Sequence, residues 1–180
     1  MIKVFSFILL LINGVLSIAN ADNKIIDRLP ENYGELAYKE VGSAKFSVLF
    51  WDIYNSTLYT KSGRYLHEQS PESLLFKIEY FKDITADELI ERTVQQWQHL
   101  GIPKSQYANY IPKLKVIWPD ISKGDSLTIL VSEKKSTFYF NDKQVGDIEE
   151  KNFSRIFLDI WLSPNTSQAQ LRAKLIEGNK

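Results

Sequence analysis

The residues from Trp118 to Leu162 restrict the fold of this chain more than any others. Leu127 to Val131 is a run of apolar and β-branched side chains, followed by the charged connection Glu133-Lys134-Lys135. Thr137-Phe138-Tyr139-Phe140 is a second strand-forming run, closed by Asn141-Asp142, a pair that tolerates the backbone of a tight turn. Val145-Gly146-Asp147-Ile148 continues as a third. Phe153, Ile156, Phe157, Ile160 and Trp161 then recur at i, i+3, i+4, i+7 and i+8, which places them on one face of an amphipathic helix. The segment therefore predicts an antiparallel sheet with a helix laid across it.

The chain starts with Lys3 ahead of an apolar run from Val4 to Leu16, and this run ends near Ala19-Asn20-Ala21. That pattern predicts a secretory signal peptide over residues 1–21, cleaved after Ala21, and a periplasmic or secreted protein. The run is short of the ~20 residues that span a bilayer, so no stable membrane insertion is expected after cleavage. Residues 22–180 form one domain's length of chain, enough to bury a sizeable core. Removing Lys3 from 22 basic side chains leaves 21 against 22 acidic ones. This balance carries no electrostatic signature of nucleic-acid binding. With no cysteine, an exported chain has to be held by its core alone.

Further predictions follow the chain. Asp22 to Asn32 reads as a loose arm, Gly34 to Val41 as a first strand, and Gly42-Ser43 as a turn. Lys45 to Tyr59 is strongly strand-forming. Its stretch Val48-Leu49-Phe50-Trp51 is too apolar for a strand with one wet face, so the segment is either central or two strands meeting near Trp51-Asp52. Lys61 to Pro71 is a loop, and Leu74 to Phe81 a strand with Leu74, Phe76, Ile78 and Tyr80 on one face. Thr85-Ala86-Asp87-Glu88 is a capping box that opens a helix to about Leu100, with Leu89, Ile90, Thr93, Val94 and Trp97 as its buried stripe. Tyr107, Tyr110, Ile111 and Leu114 suggest a short helix stopped near Pro112. Thr166 or Ser167 caps a terminal helix carrying Leu171, Leu175 and Ile176. The fold class is α+β: a mostly antiparallel sheet with helices on one face.

Few residues form a recognisable reaction centre. His67 and His99 stand 32 positions apart, without metal-ligand spacing. Asp120, Lys123, Gly124 and Asp125 lack the calcium-loop pattern and read as a charged turn. Neither phosphate-cradling glycine motifs nor a Gly-x-Ser-x-Gly nucleophile elbow occurs. Asp87-Glu88 and Glu149-Glu150 sit at helix starts, where negative charge is stabilising. No metal or cofactor is therefore expected. The sequons at Asn55, Asn152 and Asn165 read as chance. What stands out is the aromatic surplus: ten Phe, nine Tyr and four Trp. Trp51, Tyr54, Tyr80, Trp97, Phe157 and Trp161 lie on faces that ought to meet, either as core or as the wall of an apolar pocket.

The residues in order also resemble a known family. Trp118-Pro119-Asp120-Ile121, Gly124-Asp125-x-Leu127, Phe138-Tyr139-Phe140-Asn141, Gly146-Asp147-Ile148 and Ile160-Trp161-Leu162-Ser163-Pro164 are similar to the bacterial chalcone-isomerase-like proteins. So are Ile53-Tyr54, Ile78-x-Tyr80 and Asp83-Ile84-x-Ala86-x-Glu88-Leu89 upstream. The resemblance implies a strongly curved antiparallel sheet, helices over one face and a ligand cleft between the layers.

It also implies where catalytic groups of the plant enzymes would fall. The arginine region offers Lys45, and the strand threonine becomes Tyr54. The helix tyrosine and asparagine fall near Leu89 and Gln96, and the late-helix threonine near Asp159. A leucine and a glutamine do not order water around a phenolate, and lysine lacks the planar fork of arginine. Plant-type isomerisation is therefore not expected. Fatty-acid-binding members of the superfamily hold a carboxylate with an arginine and a tyrosine, a pair that Lys45 and Tyr54 would stand in for. The expected function is binding of a small apolar or amphipathic, fatty-acid-like molecule, with Lys45, Tyr54, Tyr80, Trp97, Phe157 and Trp161 around it. The alternatives are an envelope interaction protein with a filled cleft and an isomerase-type enzyme of unknown substrate.

Overall fold

The computed structural model describes residues 28–30, 32–66, 73–133 and 135–177. The segment read as a signal peptide, most of the arm before Asn32, and His67 lie outside the described residues. Six strands follow in chain order: β1 (Lys39–Val48), β2 (Trp51–Thr60), β3 (Leu74–Tyr80), β4 (Ser126–Val131), β5 (Ser136–Phe140) and β6 (Lys143–Ile148). They pair antiparallel in one sheet of order β1-β2-β3-β4-β5-β6. The helices are α1 (Ala86–His99), α2 (Lys104–Tyr107), α3 (Ile111–Ile117), α4 (Lys151–Leu162) and α5 (Ala169–Glu177). The first three join β3 to β4, and the last two follow β6. This is the expected α+β class.

Strand alternation sorts the core into two clusters. Phe76, Ile78, Tyr80, Leu127, Ile129 and Phe138 face the helices and share the main cluster with Ile90, Trp97, Phe153, Phe157 and Trp161. Leu75 and Tyr139, one position out of phase, join Leu29, Tyr33 and Tyr38 in a smaller cluster. A period of two is enough to send neighbouring residues to opposite faces.

Several local readings are corrected. Gly34 to Val41 is not one strand: Tyr33–Leu36 is a 3₁₀ turn whose N-cap Asn32 accepts from Gly34 N, and β1 begins at Lys39. Gly42-Ser43 is not a turn but lies inside β1, opposite Leu58 and Thr57. Its glycine answers to packing, because a Cβ there would lie 2.2 Å from the Lys174 carbonyl oxygen of α5. For Lys45 to Tyr59 the two-strand alternative holds, with the turn at Leu49-Phe50, just ahead of Trp51-Asp52. Pro112 does not stop a helix. It stands in the first turn of α3, where the missing N–H costs nothing.

Other signals translate directly. Thr85 caps α1 by accepting from Glu88 N at 3.2 Å, and Glu88 accepts from Thr85 N at 2.9 Å. Asp120 accepts from Ala86 N at 2.8 Å and ties the start of α1 to the loop before β4. Asn141 and Asp142 adopt φ 47° and 64° in the turn between β5 and β6. Glu150 takes the N-cap position of α4, but its side chain makes no cap hydrogen bond and pairs with Lys113.

Candidate functional site

The floor of the site is set by strand register. Phe46 of β1 stands opposite Tyr54 of β2, and Tyr54 opposite Tyr80 of β3. Ile78 stands opposite Leu127 of β4. Alternation along β3 puts Tyr80 and Ile78 on the same face, so two adjacent rows, Phe46–Tyr54–Tyr80 and Ile78–Leu127, together cross four strands. The roof comes from two helices. Leu89, Arg92, Thr93 and Gln96 of α1 follow the spacing i, i+3, i+4, i+7, and Phe157, Ile160 and Trp161 of α4 follow i, i+3, i+4. Between floor and roof lies a cavity of about 520 Å³ lined by these residues together with Val48, Ile53, Lys82, Ile84, Glu88 and Trp118.

The rim of the cavity also carries Gln95, Gln96, Ser167 and Gln168, with Ser167 Oγ donating to Gln96 Oε1 at 2.8 Å, and the buried part holds few polar groups. Trp161 Nε1 donates to the Tyr54 hydroxyl at 3.0 Å, so the phenol's own hydrogen remains to donate elsewhere. The Tyr54 and Tyr80 rings meet edge to face at 6.2 Å, and Phe46 stacks on Tyr54 at 5.1 Å. Burial pushes the Tyr54 phenol up from 10.0 to about 12, against a smaller downward pull from the Trp161 hydrogen bond. Burial raises Tyr80 further, with a contribution from Tyr54. The Thr93 hydroxyl is committed to the Leu89 carbonyl oxygen at 2.8 Å. Trp118 is buried, and its indole N–H lacks an acceptor among the described residues. Such a donor costs about 1–3 kcal/mol until something accepts from it.

Charge gathers on the exposed part of the lining. Lys82, Glu88 and Arg92 are exposed, with two cations to one carboxylate. Hydrogen bonds from Thr85 hold the Glu88 carboxyl below its ordinary range, and Lys82 and Arg92 add to the effect. Among the described residues, no group of three or more His, Asp or Glu side chains is placed to hold a metal ion.

Of the six residues singled out from the sequence, the structure brings Tyr54, Tyr80, Phe157 and Trp161 to the cavity and leaves Lys45 and Trp97 away from it. Lys45 stands opposite Asn55, one residue out of phase with the pair Phe46 and Tyr54, so it projects from the other face of the sheet. There it pairs with Asp52 at 2.8 Å and lies 5.5 Å from the centroid of the Phe81 ring. Trp97 is wholly buried, stacks on Tyr107 at 5.0 Å and donates to the Ile156 carbonyl oxygen at 2.8 Å. Leu89 and Gln96 line the cavity, whereas Asp159 does not. Sequence reasoning missed Lys82 and Arg92. Arg92 was within reach, since it sits three residues after Leu89 on the stripe that faces the sheet. Lys82 follows a strand end, and only the tertiary arrangement turns it toward the helix.

The buried phenols make alkaline pH a probe of this layer. A phenol with a raised folded-state pKa keeps its proton where the unfolded chain has lost it. Its stabilisation is complete below pH 10.0 and is lost as pH climbs toward about 12. The urea midpoint is therefore expected to fall steeply over that interval, and less steeply in Tyr80→Phe. A flat midpoint would contradict burial of these rings.

Residues 23–177 match the family described as chalcone isomerase-like. An uncharacterized protein of Haemophilus influenzae is 22% identical over 143 residues, covering 79% of this chain and 70% of that one. The crystal structure of an Arabidopsis thaliana fatty-acid binding protein superposes with a TM-score of 0.61 at 10% identity, covering 84% of this chain and 90% of that chain. At that identity the likeness speaks for the fold alone.

Proposed function

This chain belongs to the chalcone isomerase-like family, and from that premise we propose that it binds a small amphipathic molecule, fatty-acid-like in shape, between its sheet and its helices. The observation that carries the proposal is the cavity of about 520 Å³, apolar within and edged by Lys82 and Arg92. Its size falls inside the ~300–1,000 Å³ typical of ligand pockets. Aliphatic carbons would lie against Ile78, Leu127, Phe157 and Ile160. The acidic head would face Lys82 and Arg92, with the Tyr54 O–H as a further donor. The fatty-acid-binding Arabidopsis protein of the same fold adds support.

An open cavity argues against a cleft filled by its own aromatics. Export belongs to the same reading, supported by Lys3, the apolar run after it and the Ala19-Asn20-Ala21 ending.

Native mass spectrometry of the protein isolated from its own envelope, followed by organic extraction, tests both points. The expected result is a chain beginning at Asp22 with a stoichiometric lipophile. An empty protein that ignores a panel of fatty acids would overturn the binding reading. Tyr54→Phe is expected to weaken binding of a long-chain fatty acid about tenfold, the worth of one hydrogen bond to a charged acceptor. Unchanged affinity, measured by isothermal titration, removes Tyr54 from the head-group site.

A further inference from the structure

The turn between β1 and β2 breaks two local rules at one place. Val48, Leu49, Phe50 and Trp51 are 48%, 88%, 97% and 75% exposed. Among the described residues six large apolar side chains are exposed, and four of them are these consecutive ones. Leu49 also adopts φ 57°, a backbone that a branched apolar residue seldom takes and that Gly, Asn or Asp takes readily. The β5–β6 turn meets the same backbone demand with Asn141-Asp142. The β1–β2 turn thus carries leucine and phenylalanine where polar residues would be easier for both the turn and the solvent. A feature that costs the free protein at two levels points to a contact made elsewhere.

The tip is continuous with the cavity. Val48 belongs to both, and Phe46, Ile53 and Tyr54 carry the lining inward along the same two strands. Its charge pattern narrows the choice of contact. Lys45 is paired with Asp52, which also accepts from Ser47 at 2.7 Å. Lys82 is followed by Asp83 and lies close enough to Glu88 to lower its pKa. With Arg92 at the cavity rim the count is Lys45, Lys82 and Arg92 against Asp52, Asp83 and Glu88, so no basic surplus surrounds the tip and anionic lipid is not favoured. Four side chains at one hairpin end also fall far below the ~800 Å² per partner that a stable protein interface buries. A narrow apolar projection ending in Phe and Trp suits the edge of a lipid leaflet, where Trp settles at head-group depth.

We infer that the β1–β2 tip inserts into the outer edge of a zwitterionic lipid leaflet and sets the mouth of the cavity against it. This goes beyond ligand binding, and a tip variant that leaves every cavity-lining residue in place separates quenching at the tip from quenching of Trp118 and Trp161 by an acyl chain in the cavity, so either idea can fail alone.

Trp51 is a built-in reporter, because Trp97, Trp118 and Trp161 are only 0%, 4% and 9% exposed. The probe is phosphatidylcholine vesicles with brominated acyl chains. Mixing is expected to shift the tryptophan emission to the blue and quench it, with little dependence on salt. Leu49→Asn combined with Phe50→Ser keeps the turn and removes the apolar tip. This variant should lower the partition coefficient read from quenching by at least about tenfold. The two chains differ at residues 49 and 50 alone, so the comparison isolates the tip. Absence of quenching in the parent chain overturns the inference without reference to any variant. So does a blue shift that grows with protein concentration in the absence of lipid, which would assign the tip to a second copy. Binding confined to anionic vesicles and abolished by salt overturns it as well.

Discussion

Gly42→Ala is expected to lower the stability of the protein by about 3 kcal/mol, a melting shift of roughly 10 °C. A Cβ at this position would lie 2.2 Å from the Lys174 carbonyl oxygen and 2.8 Å from that of Leu175. Both are backbone atoms of α5, so no rotamer change relieves the overlap. Either β1 bends or α5 moves outward. Outward movement would draw Leu171 and Leu175, now 6% and 0% exposed, out of the core. Thermal unfolding followed by circular dichroism measures the effect. A variant that melts with the parent would mean that α5 does not approach β1 so closely.

Trp97→Ala is expected to cost about 4 kcal/mol, the range for emptying a buried aromatic site. Two effects add. The indole's volume is lost from beneath α1, where it stacks on Tyr107. The Ile156 carbonyl oxygen also loses the Nε1 donor that links α1 to α4. Urea unfolding measures the sum. Trp97→Phe separates structure from binding. It should be less destabilising and leave fatty-acid affinity within about twofold, as expected for a residue that does not touch the ligand. A large loss of affinity in Trp97→Phe would return this residue to the ligand site.

Much of the architecture was legible because its signals are local. The capping box at Thr85 and Glu88, the helical stripe from Phe153 to Trp161 and the Asn141-Asp142 turn each act within one or two turns of chain. Placement of Tyr54, Tyr80, Phe157 and Trp161 at one layer was also accessible, since alternation assigns Tyr54 and Tyr80 to a face and helical spacing does the same for Phe157 and Trp161. Phase is where the reading of Lys45 failed. A shift of one residue moves a strand side chain to the opposite surface. The register that sets Phe46, and not Lys45, beside Tyr54 includes an irregularity between Phe46 and Ser47.

By itself the sequence determined the elements that short-range physics controls: which segments alternate with period two, which repeat with period 3.6, where helices are capped, and that an antiparallel sheet would carry helices on one face. Tertiary structure decided everything that depends on two distant segments approaching each other. It made Gly42 a packing position under α5, where the isolated dipeptide reads as a turn. It sent Trp97 into the core and brought Arg92 and Lys82 to the cavity. It left Val48 to Trp51 in solvent, although their hydrophobicity alone argued for burial. The physical reason is the same in each case: a side chain's environment is set by the register and docking of elements remote in sequence, and hydrophobicity specifies only what would be favourable, not which neighbour is in reach.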